Sequence, residues 1–241
     1  MRDDFIRPDW PAPRNVRALS TTRVGGASVG PYASFNLAEH VGDEPEAVAA
    51  NRARLQRELG EAAPRWLKQV HGVRVAGDGD STQEPADASV TAQPRTACVI
   101  MTADCLPVLF CDRAGTKVGA AHAGWRGLSA GVLEATLRTM GSTDVLAWMG
   151  PAIGPKAYEV GAEVRQAFVA GSAEAAAAFV PGKVQGKWWC DLYMLARQRL
   201  QAAGVKDIYG GGFCTYTDQE RFFSFRRDGE CGRMATLVWL E

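Results

Sequence analysis

Paired-cysteine motifs, nucleotide-binding glycine loops and long apolar runs are all missing from this 241-residue chain, and each absence removes a class of function. The six cysteines, at 98, 105, 111, 190, 214 and 231, form no CxxC pair. Scattered through strand-like sequence, they read as reduced, and most of them as small core residues. Neither GxGxxG nor a Walker loop occurs, which speaks against a nucleotide cofactor on a Rossmann unit. No apolar run approaches the ~18 residues of a membrane span, so no membrane partner is expected. The first stretch, MRDDFIRPDWPAPR, has no apolar h-region, so no secretory signal and a cytoplasmic location are expected. Net charge is lacking too. The 27 basic residues balance 27 acidic ones, without the electropositive face that bulk nucleic-acid binding needs. Histidine is scarce, with three in the chain, at 40, 71 and 122.

What is present is a core. Hydrophobic residues make up 46%, and no repeat, linker or low-complexity tract divides the chain, so residues 1–241 read as a single domain. Residues 15–23 predict a strand, followed by a Gly/Ser/Pro loop. A helix is predicted over 43–60, with Asp43 as N-cap, Pro45 in the first turn, Glu46 three residues on and Gly60 as the stop. RWLKQV (65–70) reads as a strand ending at His71-Gly72, VRVA continues it after a turn, and GDGDSTQEPA (77–86) is a polar loop. Residues 97–101, 106–112 and 117–123 read as three short strands. A helix over 126–140 closes at Gly141. DVLAWMG is a strand, 151–161 a loop, and helices are expected over 162–179 and 191–204, with late strands over 205–211 and 234–240. Strands and helices are mixed rather than strictly alternating, which points to α/β class with mixed β-sheets and helices outside.

Three side chains at the ends of these strands carry the chemistry. His71 closes one strand, Cys105 follows Asp104 at the start of another, and His122 precedes Ala123-Gly124 at the end of a third. Two imidazoles and a thiolate form a borderline-soft ligand set suited to Zn²⁺, and three protein ligands leave a fourth position open, as in catalytic rather than structural zinc sites. The spacing is not that of a finger or knuckle. In HAGWRG (122–127), glycines flank Trp125-Arg126 where a strand becomes a helix. Free N–H groups at a helix start favour an anion, and Arg126 adds a planar fork for it.

The motifs KQVHG (68–72), TADCLPVLF (102–110), AAHAGWRG (120–127), IGPKAYEVG (153–161) and FFSFRRDGECGRMA (222–235) occur in one order. Together with LSTTRVGG (19–26), SFNLAEHVGD (34–43) and NRARL (51–55), they resemble the bacterial YfiH-type family, named as multicopper polyphenol oxidoreductase or laccase-domain proteins, over nearly the whole chain. The resemblance implies a four-layer α/β/β/α sandwich and zinc held by His71, Cys105 and His122. It also implies phosphorolysis of purine nucleosides (adenosine, inosine, guanosine and methylthioadenosine) and deamination of adenosine. Phe225 departs from the tyrosine of the family pattern, and Cys231 from its threonine.

Counting limits the family's copper name. A four-copper oxidase draws on a large set of imidazoles, and three histidines cannot supply it. His₂Cys does match a single blue-copper site, with Met101 nearby as an axial ligand, so Cu²⁺ and a mononuclear polyphenol oxidase stay open beside Zn²⁺. For nucleoside chemistry, Asp104 or Glu159 is a candidate for proton transfer. Phosphate and substrate need Arg or amide donors, for which Arg23, Arg52, Arg126, Arg226, Arg227, Asn36 and Gln69 are candidates, and Tyr32, Phe35 or Phe223 could stack on the purine. His40 reads as supporting or structural rather than as a fourth ligand. A second enzyme class uses Cys105 as nucleophile and His122 as base, with His71 assisting, on an amide such as a cell-wall precursor peptide. The third alternative, a binding module, would not need the triad. The expected partners are a nucleoside and phosphate, for a monomeric protein.

Overall fold

The computed structural model describes residues 4–81, 84–142 and 144–241. Residues 82 and 83 of the polar loop, and the first three residues of the N-terminal stretch, lie outside that set. In chain order come β1 (Phe5–Ile6), β2 (Val16–Thr21), α1 (Pro45–Leu59), β3 (Ala63–Arg65), β4 (Val75–Ala76), β5 (Ala88–Thr91) and β6 (Thr96–Thr102). Next are β7 (Leu106–Asp112), β8 (Val118–Ala123), α2 (Trp125–Ala130), α3 (Val132–Met140) and β9 (Val145–Met149). The last third holds β10 (Glu159–Gly161), α4 (Ala162–Val169), β11 (Phe179–Pro181), β12 (Lys187–Cys190), α5 (Leu192–Ala202), β13 (Asp207–Gly210), α6 (Phe225–Asp228) and β14 (Met234–Leu240).

One sheet runs β1-β2-β14-β6-β3 and a larger one β13-β9-β7-β8-β5-β4; a small antiparallel sheet orders β10-β12-β11. Both large sheets are mixed, with parallel pairs at β3/β6, β4/β5 and β13/β9. Side chains alternate faces along a strand, and the core follows that parity. Val108, Phe110, Ala121 and Ala147 share one cluster with Leu133 and Leu137 of α3 and Leu192 and Leu195 of α5. Their neighbours Leu109, Cys111, Val118, Ala120 and Leu146 meet Cys98 and Ile100 of β6 and Val238 and Leu240 of β14 in a second cluster, where the two large sheets pack. Ala97, Val99 and Leu237 turn the other way, onto Leu55 and Leu59 of α1. Burial on both faces is why β7, β8, β9 and β14 read as unbroken apolar runs. All six cysteines are free. Among the described residues no helix is long and apolar enough to cross a membrane.

Several local expectations are corrected. Asp43 is not the N-cap of α1; Glu44 occupies that position without a side-chain cap bond. The Asp43 carboxylate instead accepts from Ser28 Oγ (2.6 Å) and Asn36 Nδ2 (2.9 Å), so its capping capacity is used by the preceding loop. The helix expected over 126–140 is two helices, because Gly131 takes a left-handed φ of 102° between α2 and α3. Residues 151–161 are not all loop; their end forms β10 on β12, a strand that sequence reading missed. Of 162–179, α4 ends at Val169, and Ala173–Ala178 is a 3₁₀ segment. The strand expected over 65–70 ends at Arg65; beyond it Lys68 makes only an isolated bridge to Pro85, and the N–H groups of residues 70–72 are bound by a side chain at the site.

Candidate metal centre

The open end of the layer between the two large sheets is where the three nominated side chains meet. His122 continues the face of β8 that carries Val118 and Ala120, and it lies opposite Pro107 in the β7–β8 register, two residues from Cys105. Thr102, on the β6 face of Cys98 and Ile100, borders the same space. His71 arrives on irregular backbone from β3. The candidate ligand atoms of His71, Cys105 and His122 all lie within 4.8 Å of one another. Cys105 Sγ stands 3.6 Å from His71 Nε2, and the two imidazoles meet edge to face at 4.6 Å between centroids. Zinc–sulfur and zinc–nitrogen bonds of about 2.3 and 2.0–2.1 Å at a tetrahedral angle separate S from N by roughly 3.6 Å, so the observed spacing fits one shared ion. His71 is exposed, Cys105 half-buried and His122 buried.

Asp87, which sequence reading passed over, organises this arrangement. Its carboxylate accepts from the backbone N–H of Val70, His71 (2.8 Å) and Gly72 (2.7 Å) and lies 2.8 Å from His122 Nδ1. Its own carbonyl accepts from His122 N (2.7 Å). One buried carboxylate therefore holds the loop that carries the first imidazole and orients the ring of the third ligand, leaving His122 Nε2 for the cavity. The signal available in sequence was slight: an acid among small residues, PADASV, just before a strand. Gln69 adds a second tie, bracketing Met101 by donating to its O and accepting from its N, each at 2.8 Å. His71 has φ 63° and Asp104 φ 90°, left-handed values that non-glycine residues adopt at a cost and that concentrate at functional sites. Gly124 must lack a side chain, because a Cβ there would sit 2.9 Å from Cys105 Sγ and from His71 Cδ2. The glycine expected to admit a ligand thus makes room for two ligating side chains.

Electrostatics favour a thiolate. Burial raises the Cys105 thiol, but the charge and hydrogen bonds of His122 and His71 outweigh it and bring the pKa down to about 6. Burial opposes charge on His122, and Cys105 with Asp87 reverses that, raising it. Asp87 stays low despite burial through its bonds to His122, Gly72 and Val70.

A cavity of about 290 Å³ opens above the triad, walled by Leu67, Gln69, Met101, Phe225, His40 and Arg233 besides the triad itself. Its size lies at the small end of ligand sites, roughly 300–1,000 Å³. Arg126 does not line it; exposed, it stacks on Trp125 at 4.5 Å. Arg23 donates to Ala33 O and lies over Phe223. Arg52 donates to Leu37 O, pairs with Glu39 and covers Trp66. Asn36 is fully buried and bonded at both ends of its amide. Arg226 donates from Nη1 to Glu159 O, and Arg227 binds Thr215 O and Phe222 O. Asp104 accepts from Thr215 Oγ1 (2.6 Å) and Arg226 N (2.7 Å). The Glu159 carboxylate accepts from Lys183 N, away from the cavity. Tyr32, Phe35 and Phe223 are corrected as stacking candidates: all three are buried, and the exposed aromatic at the cavity is Phe225.

Comparison with known proteins finds relatives over nearly the whole chain. The family model described as multi-copper polyphenol oxidoreductase laccase matches residues 17–241. A purine nucleoside phosphorylase of Pseudomonas aeruginosa is 58% identical over 239 residues, covering 98% of each chain. The purine nucleoside phosphorylase YfiH of Escherichia coli is 53% identical over 242 residues, with the same coverage. The crystal structure of a Neisseria meningitidis protein superposes with a TM-score of 0.95 at 50% identity, covering 99% of this chain and all of that one.

Proposed function

This chain belongs to the multi-copper polyphenol oxidoreductase laccase family, and from that premise we propose that it is a zinc-dependent purine nucleoside phosphorylase. The observation that carries the zinc is the His71–Cys105–His122 cluster, spaced as tetrahedral ligands and braced by Asp87. The activity follows the curated relatives, which are purine nucleoside phosphorylases at 48–58% identity over nearly their full length. We read the three core clusters as the interfaces of an α/β/β/α stack.

In phosphorolysis, phosphate attacks C1′ of the ribose, the glycosidic bond breaks, and the purine leaves as ribose 1-phosphate forms. When bound, zinc supplies a Lewis acid that polarises and positions substrate oxygen or nitrogen. His71, Cys105 and His122 would hold it, and Asp87, bonded to His122 Nδ1, keeps that ring oriented with Nε2 toward the cavity. Leu67, Met101 and Phe225 offer the apolar wall that a purine ring needs. Asp104, with both oxygens engaged, holds the Thr215 and Arg226 segments in place, a positioning role. Deamination of adenosine is a second activity we assign to the same ligands.

The test is a product screen on protein carrying one equivalent of zinc. Inosine or adenosine with phosphate should give free base and ribose 1-phosphate at a rate that rises with phosphate, and His71→Ala should lose both the metal and the turnover. Absence of phosphate-dependent turnover in the fully metallated protein rejects the phosphorylase. The Cys105–His71 contact also suits a thiol hydrolase; amide cleavage that persists after metal removal would select it.

A further inference from the structure

A phosphorylase needs a seat for its anionic co-substrate, and the arginines nominated for it from the sequence do not line the cavity. Arg23, Arg52, Arg226 and Arg227 are spent on backbone carbonyls, and Arg126 lies outside. Gln69 uses both ends of its amide on Met101. Of the lining side chains, Arg233 alone is permanently charged.

Its setting is that of a prepared anion site. Arg233 N donates to Asn36 Oδ1 (2.9 Å), and its carbonyl accepts from Leu37 N (3.3 Å), which fixes the backbone. Nη1 folds back onto Cys231 O (2.7 Å) and Gly232 O (3.1 Å), which fixes the arm. Nε and Nη2 have no protein partner, and no carboxylate pairs with the guanidinium among the described residues. The Phe225 ring lies 5.8 Å from it, and His40 lines the same cavity, where burial and then the nearby Arg233 charge hold its imidazole below the ordinary value. A half-buried guanidinium, braced on one nitrogen and open on the other two, loses hydration that only an anion restores well.

We propose that Arg233, with His40 beside it, binds the phosphate co-substrate, so that the cavity divides into an anion end and a triad end with the nucleoside between them. The proposal rests on the phosphorylase reading. Guanidinium presents two parallel N–H groups to two phosphate oxygens, a geometry an ammonium cannot copy.

The experiment is steady-state kinetics with inosine and inorganic phosphate varied independently, on the zinc-loaded protein and on Arg233→Gln, Arg233→Lys and His40→Asn. Arg233→Gln should raise KM for phosphate by roughly tenfold or more, with KM for inosine moving less than about twofold. Arg233→Lys should recover part of the loss. His40→Asn should raise KM for phosphate severalfold, and phosphate should no longer raise the melting temperature of Arg233→Gln. Losing Arg233 could loosen the 231–233 turn; His40 makes no bond to that turn among the described residues, so it decides the case if Arg233→Gln does not fold. Wild-type KM for phosphate in folded Arg233 variants and in His40→Asn overturns the proposal. Wild-type protein lacking any phosphate-dependent turnover rejects the underlying phosphorylase instead.

Discussion

Two polar regions meet where Arg233 N donates to Asn36, and they differ in what their side chains have left to offer. In the 23–52 region, Asn51 accepts from Ala27 N (2.7 Å) and donates to Ser28 Oγ (2.9 Å) and Asn36 O (2.8 Å), while Asn36, Asp43, Arg23 and Arg52 are likewise bound within the chain. At the triad cavity, Cys105, His71, His122 Nε2 and two nitrogens of Arg233 face open space. Both regions come from dense sequence motifs. A saturated polar network builds backbone, and an unsaturated one awaits a ligand. Cys105→Ala tests the unsaturated side most severely. Metal content should fall from about one equivalent to near zero, and the several kcal/mol a Lewis-acid ion contributes, at about 1.4 kcal/mol per decade, convert to roughly a thousandfold loss of turnover. The fold should hold: urea denaturation of the mutant should match that of metal-free wild type.

The saturated side should fail in the opposite way. Asn51 is almost fully buried, and Asn51→Ala strands the Ala27 N–H and the Asn36 carbonyl at about 1–3 kcal/mol per orphaned group. Partial rescue by water leaves about 3 kcal/mol of lost stability in urea. Turnover per folded molecule and zinc stoichiometry should stay near wild type. A mutant that loses zinc while keeping its stability would erase the contrast between the two regions.

Asp87→Asn probes the one residue that belongs to both kinds. Its carboxylate is saturated by four donors, yet one of these is a ligand ring. The amide cannot accept from all of them, so the 70–72 loop loosens and His122 loses its orientation. Removing such a support costs about 10–100-fold in metal affinity, readable by competition with a chelator. Zinc affinity within about twofold of wild type would show that the ring is oriented by packing alone.

The same distinction explains how far the sequence was legible. The strands were readable because β7, β8 and β14 bury both faces and carry long apolar runs. His71, Cys105 and His122 were readable as rare, chemically distinctive side chains at strand ends. Asp87 was not, because an acid directly after a polar loop looks like more loop; only the fold brings it to His71 and His122. The arginines misled for a related reason. Arg23 and Arg52 sit in motif-like sequence because loop backbone needs their donors; Arg233 sits in the 222–235 motif as well, and what sets it apart is the bonds it does not make, which no linear pattern records.

The smallest effect separates the cysteines themselves. Cys98 and Cys111 lie in the layer between the sheets, and burial pushes their thiols up to about 11 and about 12; Cys105 sits at the rim of that layer with two imidazoles, and its thiol falls to about 6. The sign is unambiguous for an acid: a lowered pKa means thiolate is already dominant at pH 7 and is lost as pH falls through about 6, whereas an ordinary thiol ionises near 8.5. In metal-free protein, iodoacetamide labelling of Cys105, followed by peptide mass mapping, should therefore rise with pH to a midpoint near 6. The gain at pH 7 is only about two- to threefold, because the roughly 30-fold larger thiolate fraction is largely offset by the weaker nucleophilicity of a less basic thiolate. Cys98 and Cys111 should remain unlabelled across the same range. His122→Asn removes a main source of the shift, so its midpoint should move back toward 8.5, and zinc should protect Cys105 in wild type but not in this variant. A wild-type midpoint near 8.5 would mean that the imidazoles do not share the thiol's proton, and the rim cysteine would then be chemically no different from those packed between the sheets.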